Sequence, residues 1–451
     1  LDNKEFPANA LFIGNYHLLM GFDEMEKKLT YQEALNWIQG NLKFGIKPGL
    51  DRMSWMLKEL GNPQENINGI HVVGTNGKGS TVHYLQTIFS QAGYEVGTFT
   101  SPYIVDFRER IAINGNMIRQ EDLMVLVQLV SPVVKRLPLE TSLEPATEFE
   151  IITLMMFLYF GKLHPVDLVI VEAGLGGLYD STNVFKAQAV ICTSIGLDHQ
   201  NILGTDYIQI AQQKVGVLKN KVPFIFNENR TEVEKVFCKQ AEQTQSPIYQ
   251  LGKEFSIVNY DNSFDFIYGK TRINDIQLAM KGQHQYFNAA LSIMTCLLLQ
   301  EKFPQVTQNI IKQALGHSRW IGRIEFIRDN LIIDGAHNKE SITVLIDFLK
   351  KEYPTKKIHI LFAAIDTKPI ETMLSLLEQF NDLTVTSFEH PNAICLESYP
   401  EKYERVADFK DWLPKWEAAE PNDLFVITGS LYFIAQVRKT LLQSQTINRN
   451  K

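Results

Sequence analysis

Short apolar runs alternate with amphipathic stretches through most of this 451-residue chain. Residues 70–73, 96–100, 167–172, 189–195 and 223–226 are apolar and bounded by polar or glycine-rich segments, so they are predicted to be buried strands. Between the first two, Val82, Leu85 and Ile88 with Phe89 recur at helical spacing, and Gly93 supplies a stop. Strands separated by helices predict a parallel sheet covered on both faces. Residues 1–69 read as polar and helical, with amphipathic segments at 31–40 and 50–60. Residues 250–280 change character: 255–258 and 264–268 predict small antiparallel strands, and a helix over 286–299 closes the region.

A boundary is predicted near 316–322, which divides the chain into residues 1–316 and 317–451. Beyond it the alternation restarts. Strands at 324–327 and 331–333 turn around Arg328-Asp329-Asn330. A helix (339–350), a strand (358–363), a helix (369–380), strands at 383–388 and 424–428 and a helix at 431–442 follow. The tail 446–451 is expected to fray.

Composition narrows the classes. The length calls for two or three domains, and 45% hydrophobic residues are ample for their cores. A net charge of −7 offers no global basic field for nucleic acid. Cys192, Cys238, Cys296 and Cys395 show no C-x-x-C spacing and read as free thiols of a reducing cytoplasm. The longest apolar run, 151–160, is too short to span a bilayer and reads as a buried helix. No membrane association and no secretory signal are expected. The chain begins at Leu1, so its natural start is expected to be missing or altered.

The sharpest chemical signal is Gly74-Thr75-Asn76-Gly77-Lys78-Gly79-Ser80, set between the first strand and the first internal helix. Glycines let backbone N–H groups approach phosphate oxygens, the helix N-terminus adds a positive dipole end, and Lys78 adds a charge. The match to the general P-loop is imperfect: Val72 stands at its first glycine position, and Gly79 separates Lys78 from Ser80. Glu172 ends a buried strand just before Ala173-Gly174-Leu175-Gly176-Gly177, where it could meet a cation or be an ordinary strand-end carboxylate. His199, in Leu197-Asp198-His199-Gln200, follows the next strand and reads as a metal ligand or a satisfied loop histidine. Ser101 closes a third strand, and serine, glutamate and one more donor would suit magnesium. Lys214, on a helix from about Tyr207, reads as a solvated lysine. In the second half, Asp334-Gly335-Ala336-His337-Asn338 and Thr428-Gly429-Ser430 end strands, so polar groups collect at the carboxyl edges of both sheets. A cleft between two such edges is a natural two-substrate site.

Taken in order, several segments resemble the folylpolyglutamate synthase/dihydrofolate synthase family, relatives of the Mur ligases. They are Gly74–Ser80, Thr100-Ser101-Pro102-Tyr103 with Phe107-Arg108-Glu109-Arg110-Ile111, Thr147-Glu148-Phe149-Glu150, Glu172–Gly177 with Asp180-Ser181-Thr182-Asn183-Val184, Leu197–Gln200, Asp334–Asn338 and Thr428–Ser430. The resemblance runs from about Thr30 to Leu442. It implies an α/β fold: a P-loop, Mur-ligase-like central domain with a parallel sheet, plus a smaller Rossmann-like α/β C-terminal domain. It implies ATP-dependent addition of L-glutamate to the γ-carboxyl of a folate, with dihydropteroate as a further acid substrate, in a cytoplasmic monomer.

Carried over residue by residue, it implies that Lys78 and the amides of Gly74, Thr75, Asn76, Gly77, Gly79 and Ser80 hold phosphates. Ser101, Glu172 and His199 would hold magnesium. Lys214 would be carbamylated and face a second magnesium, against its solvated reading. Gln285 and Asn288 would lie on the adenine side. Arg323 and Asp334 would touch the nucleotide from the second domain, and His337 and Ser430 would line the acyl-phosphate and glutamate side. Two positions depart from the family: Ile321 stands where proline usually precedes Gly322-Arg323, and Lys339 where proline follows Asn338. The alternatives are another Mur-type amino-acid ligase and, in a different class, a P-loop nucleotide switch or ATPase. ATP turnover that needs both folate and glutamate separates a ligase from a switch.

Overall fold

The structure, a computed structural model, describes residues 29–45, 47–380 and 382–449, with side chains through Leu442. Residues 1–28, the first part of the expected helical N-terminal stretch, lie outside the described residues. Helices Tyr31–Gln39 and Asp51–Glu59 match the two expected amphipathic segments. The first starts at a capping box: Glu33 N donates to Thr30 Oγ1 at 3.2 Å, and Thr30 N donates to Glu33 Oε2 at 2.9 Å. Two orphan amides are thereby satisfied reciprocally.

The main sheet has eight strands: β1 (Gly69–Val73), β2 (Val96–Phe99), β3 (Ile111–Ile113), β4 (Asn116–Met117), β5 (Leu168–Glu172), β6 (Ala189–Cys192), β7 (Phe224–Phe226) and β8 (Ile248–Gln250). Their order is β4-β3-β2-β5-β1-β6-β7-β8. From β2 to β8 the pairing is parallel, and β3 and β4 add an antiparallel edge. Ile70, Val72 and Ile170 pack with Val82, Leu85 and Ile293 on one face, while Val73, Val171 and Val190 pack with Ile151 and Met155 on the other. Both faces being apolar, each strand reads as a continuous hydrophobic run. β1 lies between β5 and β6, so the loop after it opens at the centre of the sheet's carboxyl edge.

A three-stranded antiparallel sheet follows: β9 (Phe255–Asn259), β10 (Phe264–Tyr268) and β11 (Thr271–Ile276). Sequence reading misses β11 because Arg272, Asn274 and Asp275 make it look like a polar turn. It also misses the helix Gln120–Glu140, whose internal Pro132 and Pro138 are breaking signals.

Segment 318–324 leads to a six-stranded sheet: β12 (Glu325–Arg328), β13 (Leu331–Ile333), β14 (Lys357–Phe362), β15 (Asp382–Thr386), β16 (Glu404–Val406) and β17 (Asp423–Thr428). The order is β12-β13-β17-β14-β15-β16. The β12–β13 pair is the expected hairpin, and the other pairings are parallel. The short, exposed β16 and the helix Phe409–Glu417, interrupted by Pro414, give no clear periodic signal. The last helix, Leu431–Arg449, continues past the expected stop at 442, so the backbone of 446–449 is helical and not frayed; 450–451 lie outside the described residues.

On the amino-terminal edge of this sheet, His359 ties three strands together. Its Nδ1 meets Asp382 Oδ2, its Nε2 lies 3.0 Å from Asp423 Oδ1, and its ring stacks on Phe425 with centroids 4.6 Å apart. Hydrogen bonding to His359 holds the Asp423 carboxyl below its ordinary range. Removing the imidazole leaves two carboxylates without their shared partner. His359→Leu should therefore lower the stability of this sheet by about 1 kcal/mol, read as an earlier urea transition. Adding Asp382→Asn should recover part of that loss. Wild-type unfolding in the single variant would show that the cluster contributes nothing.

Candidate active site

The loop from β1 into the helix Lys78–Gln91 is shaped by its two glycines. Gly74 has φ +147° and Gly77 φ +89°. A Cβ on Gly74 would sit 2.0 Å from Thr193 Oγ1, and one on Gly77 would sit 2.4 Å from Asn288 Oδ1. Neither position accepts a side chain, so the backbone amides remain open to a ligand. Lys78 Nζ folds back to donate to Gly74 O at 3.0 Å and Thr75 O at 3.2 Å. It also lies 4.0 Å from Glu172 Oε1.

Glu172 ends β5 beside this loop and is buried. Burial raises its pKa to about 7, against the pull of Lys78. Ser101 N donates to Glu172 Oε2 at 3.4 Å. A carboxylate so weakly satisfied is a place for a cation. His199, with φ +51°, projects from the loop after β6; burial and the nearby Lys368 lower its pKa to about 4, so its imidazole is neutral. Ser101, Glu172, His199 and Lys214 line one cleft of about 140 Å³ with the loop. Among the described residues there is no cluster of three or more acids, histidines or cysteines that could hold a metal. The donor set suits magnesium, which completes its shell with phosphate oxygens and water.

Lys214 corrects the reading from the residues alone. It is not solvated: it is 4% exposed, on the inner face of the helix Tyr207–Val215. Its Nζ donates to Gly74 O at 3.0 Å and pairs with no carboxylate among the described residues. Burial first, and then Lys78, lower its pKa to about 7.

The second sheet closes the cleft from the other side. Asn76 Nδ2 donates to Asn338 Oδ1 at 3.2 Å, and Asn338 Nδ2 donates back to Asn76 Oδ1 at 3.1 Å. Leu197 N donates to Glu340 Oε1 at 2.9 Å. Lys368 Nζ contacts both oxygens of Asp198, at 2.8 and 3.0 Å. Burial would raise the Asp198 pKa, but Lys368, His199 and His337 outweigh it and hold the carboxyl well below the usual range. Burial lowers the His337 pKa to about 3, and its Nδ1 lies 2.7 Å from Gly335 O.

Arg323 and His337 line the same small cleft as Gly74, Thr75, Asn76, Gly77, Lys78 and Gly79. Ser80, Gln285 and Asn288 lie behind the loop: Gln285 Nε2 donates to Ser80 Oγ at 3.3 Å, and Asn288 Nδ2 to Gln285 Oε1 at 3.1 Å. Asp334 is also set back, its oxygens accepting from Ile324 N and Ala336 N at 2.8 and 2.9 Å. Ser430 lines a larger, mostly apolar cavity of about 530 Å³ that shares Ser101, Gly174, His199 and His337 with the small cleft. Phe149, Leu175, Tyr179 and Tyr432 give it apolar and aromatic walls. Sequence reading missed Lys368, which follows β14 without a glycine turn or motif. The rule that pointed to Glu172 and His199, polar groups just beyond a strand's carboxyl end, would have reached it.

The cleft between the two sheets thus joins a glycine-rich loop and its lysine to a larger, mostly apolar cavity. The chain matches the Mur ligase middle domain over residues 72–296 and the Mur ligase glutamate ligase domain over 322–431. It is 38% identical over 432 residues to the dihydrofolate synthase/folylpolyglutamate synthase of Bacillus subtilis, covering 91% of this chain and 99% of that one. The folylpolyglutamate synthase of Lacticaseibacillus casei is 32% identical over 429 residues, with 92% and 99% covered. A solved FPGS–AMPPCP–folate complex matches with TM-score 0.81 at 30% identity, covering 92% of this chain and 100% of that one. The chain belongs to the folylpolyglutamate synthase/dihydrofolate synthase family of Mur ligases.

Two substitutions test the cleft. Lys78→Ala should abolish ATP turnover and leave the unfolding curve nearly intact, because the hydrogen bonds of Lys78 reach only loop carbonyls and Glu172 is 4.0 Å away. Lys368→Met should lower kcat by about a hundredfold, the cost of unpairing a buried carboxylate, with ATP affinity held within about twofold. Adding Asp198→Asn should restore part of it. An unchanged kcat in Lys368→Met would remove the ion pair from any role in closure.

Proposed function

We propose that the protein is an ATP-dependent ligase that adds L-glutamate to the γ-carboxyl of a reduced folate through an acyl phosphate. The observation that carries this reading is the wall shared by the two cavities, Ser101, Gly174, His199 and His337, across which an acid held in the apolar cavity would reach the phosphate loop. A second activity, joining glutamate to dihydropteroate, is supported by the 38% identity to a relative named for both reactions. We divide the chain at 316/317, with the nucleotide loop in the first domain and the glutamate-ligase domain in the second. No helix among the described residues is long and apolar enough to cross a membrane. Free cysteines suit a reducing cytoplasm, and the reading takes the chain as a monomer there.

A carboxylate does not condense with an amine at neutral pH. Transfer of the γ-phosphoryl of ATP to the folate carboxylate gives an acyl phosphate and ADP. The amine of glutamate then attacks the acyl carbon, phosphate leaves, and the amine loses a proton. In our reading Lys78 and the loop amides orient the β- and γ-phosphates, and Arg323 meets the charge that develops in transfer. Gln285 and Asn288 set the adenine side. Asp334 positions Arg323 through the Ile324 amide. His337 and Ser430 line the acyl phosphate and the incoming glutamate, and closure over the cleft excludes water. Ser101, Glu172 and His199 would hold magnesium, which supplies charge neutralisation on the phosphates when bound. We assign Lys214 a carbamate and a role at a second magnesium. Its burial, its lack of a carboxylate partner and its neutral amine near pH 7 support this.

The defining measurement is ADP release. It should require both L-glutamate and a pterin acid, with tetrahydrofolate and dihydropteroate run in parallel. ADP release without either would favour a nucleotide switch. The carbamate is tested separately with ¹³C-bicarbonate. Because the folded Lys214 amine loses its proton at about pH 7, far below the ordinary lysine value of 10.5, a carbamate signal should grow from pH 6 to pH 8. It should be absent in Lys214→Ala. A Lys214 amine unlabelled at pH 8 in active protein would end that assignment.

A further inference from the structure

The large cavity contains a buried cation with unused donors. Arg110 ends the short helical turn Phe107–Arg110 and is 7% exposed. Its Nη1 lies 2.8 Å from Glu148 Oε1, an ion-pair distance. Yet Nη1 and Nε are both buried and donate no hydrogen bond. Buried guanidinium donors without acceptors are costly, so such atoms point to a missing partner. The guanidinium is also held in place, 5.4 Å from the centroid of Tyr103 and 5.1 Å from that of Phe107. The two ammonium groups on this cavity also face carboxylates, Lys47 with Glu144 and Lys368 with Asp198, but neither is a buried donor left without a hydrogen bond.

Position says which partner is missing. Arg110 lines the large cavity but not the small phosphate cleft, whereas Ser101, His199 and His337 line both. A group held by Arg110 therefore lies outward from the phosphates, on the side of the acid being activated. A terminal glutamyl residue carries two carboxylates separated by a short methylene chain. One must reach the phosphate loop, and the other then needs a cation farther out. The planar fork of an arginine suits a carboxylate.

We propose that Arg110 binds the α-carboxylate of the glutamyl residue already on the folate, and thereby selects the γ-carboxylate for phosphorylation. This rests on the folate reading of the cavity. Glu148 balances the charge when no substrate is bound, and the two rings fix the plane of the fork. A pterin acid without glutamate, such as pteroate, has no α-carboxylate to offer and gains nothing from Arg110.

The test is binding by the full chain, measured calorimetrically for pteroylglutamate and for pteroate. Wild type should bind pteroylglutamate about tenfold or more tightly than pteroate. Arg110→Met/Glu148→Gln, which leaves no lone buried charge, should bind the two alike, with the pteroate Kd unchanged. Arg110→Lys keeps the charge but loses the fork, and should keep only part of the difference. It also serves if the double variant fails to fold. A preference that survives in these variants would overturn the proposal. So would a wild type with no preference, or an effect of Arg110→Lys confined to the KM for L-glutamate. If wild type binds neither pterin, the folate reading itself fails.

Discussion

Two lysine side chains converge on one carbonyl oxygen. Lys78 from the loop helix and Lys214 from across the sheet each donate to Gly74 O at 3.0 Å. The nearest carboxylate, Glu172, is 4.0 Å from Lys78. Burial first, and then repulsion from the like charge of Lys78, lower the pKa of Lys214. Such a site is incomplete by its own electrostatics. It calls for anions on the loop side and for loss of the Lys214 charge. A nucleotide's phosphates meet the first demand, and release of the Lys214 proton, its pKa lowered to about 7, meets the second. The rest of the molecule holds these groups in register: β1, β5 and β6 lie side by side, so Gly74, Glu172 and Thr193 arrive at one edge.

The second sheet is joined to that edge by polar groups. The Asn76–Asn338 amides exchange hydrogen bonds, and the Asp198–Lys368 pair sits next to His199. Asn338 also donates to Asp198 at 3.2 Å, which connects the two contacts into one network. These contacts place the loop, the His199 segment and the second sheet under the same constraint. A disturbance of one is felt by the others through a few named bonds.

Much of this was legible in the sequence, for physical reasons. β1, β5 and β6 are buried on both faces, so their apolar runs are unambiguous, and the Gly74–Ser80 segment carries its own geometry. Glu172 and His199 were reachable because they stand just past such runs. What was hidden depends on contacts distant in sequence. Lys214 looks like any helical lysine until the helix is packed, when its amine lies beneath a loop 140 residues away. Lys368 meets Asp198 across 170 residues. The helix Gln120–Glu140 was obscured by Pro132 and Pro138, and β11 by its polar outer face. In each case tertiary packing overrode the local signal.

The contacts across the cleft are amides and a backbone N–H, which water can serve nearly as well, and one buried ion pair, Lys368 with Asp198. Most of these groups exchange a protein partner for water at little net cost. A seam of this kind is one that a molecule bridging the cleft can tighten, by adding contacts to both sheets at once.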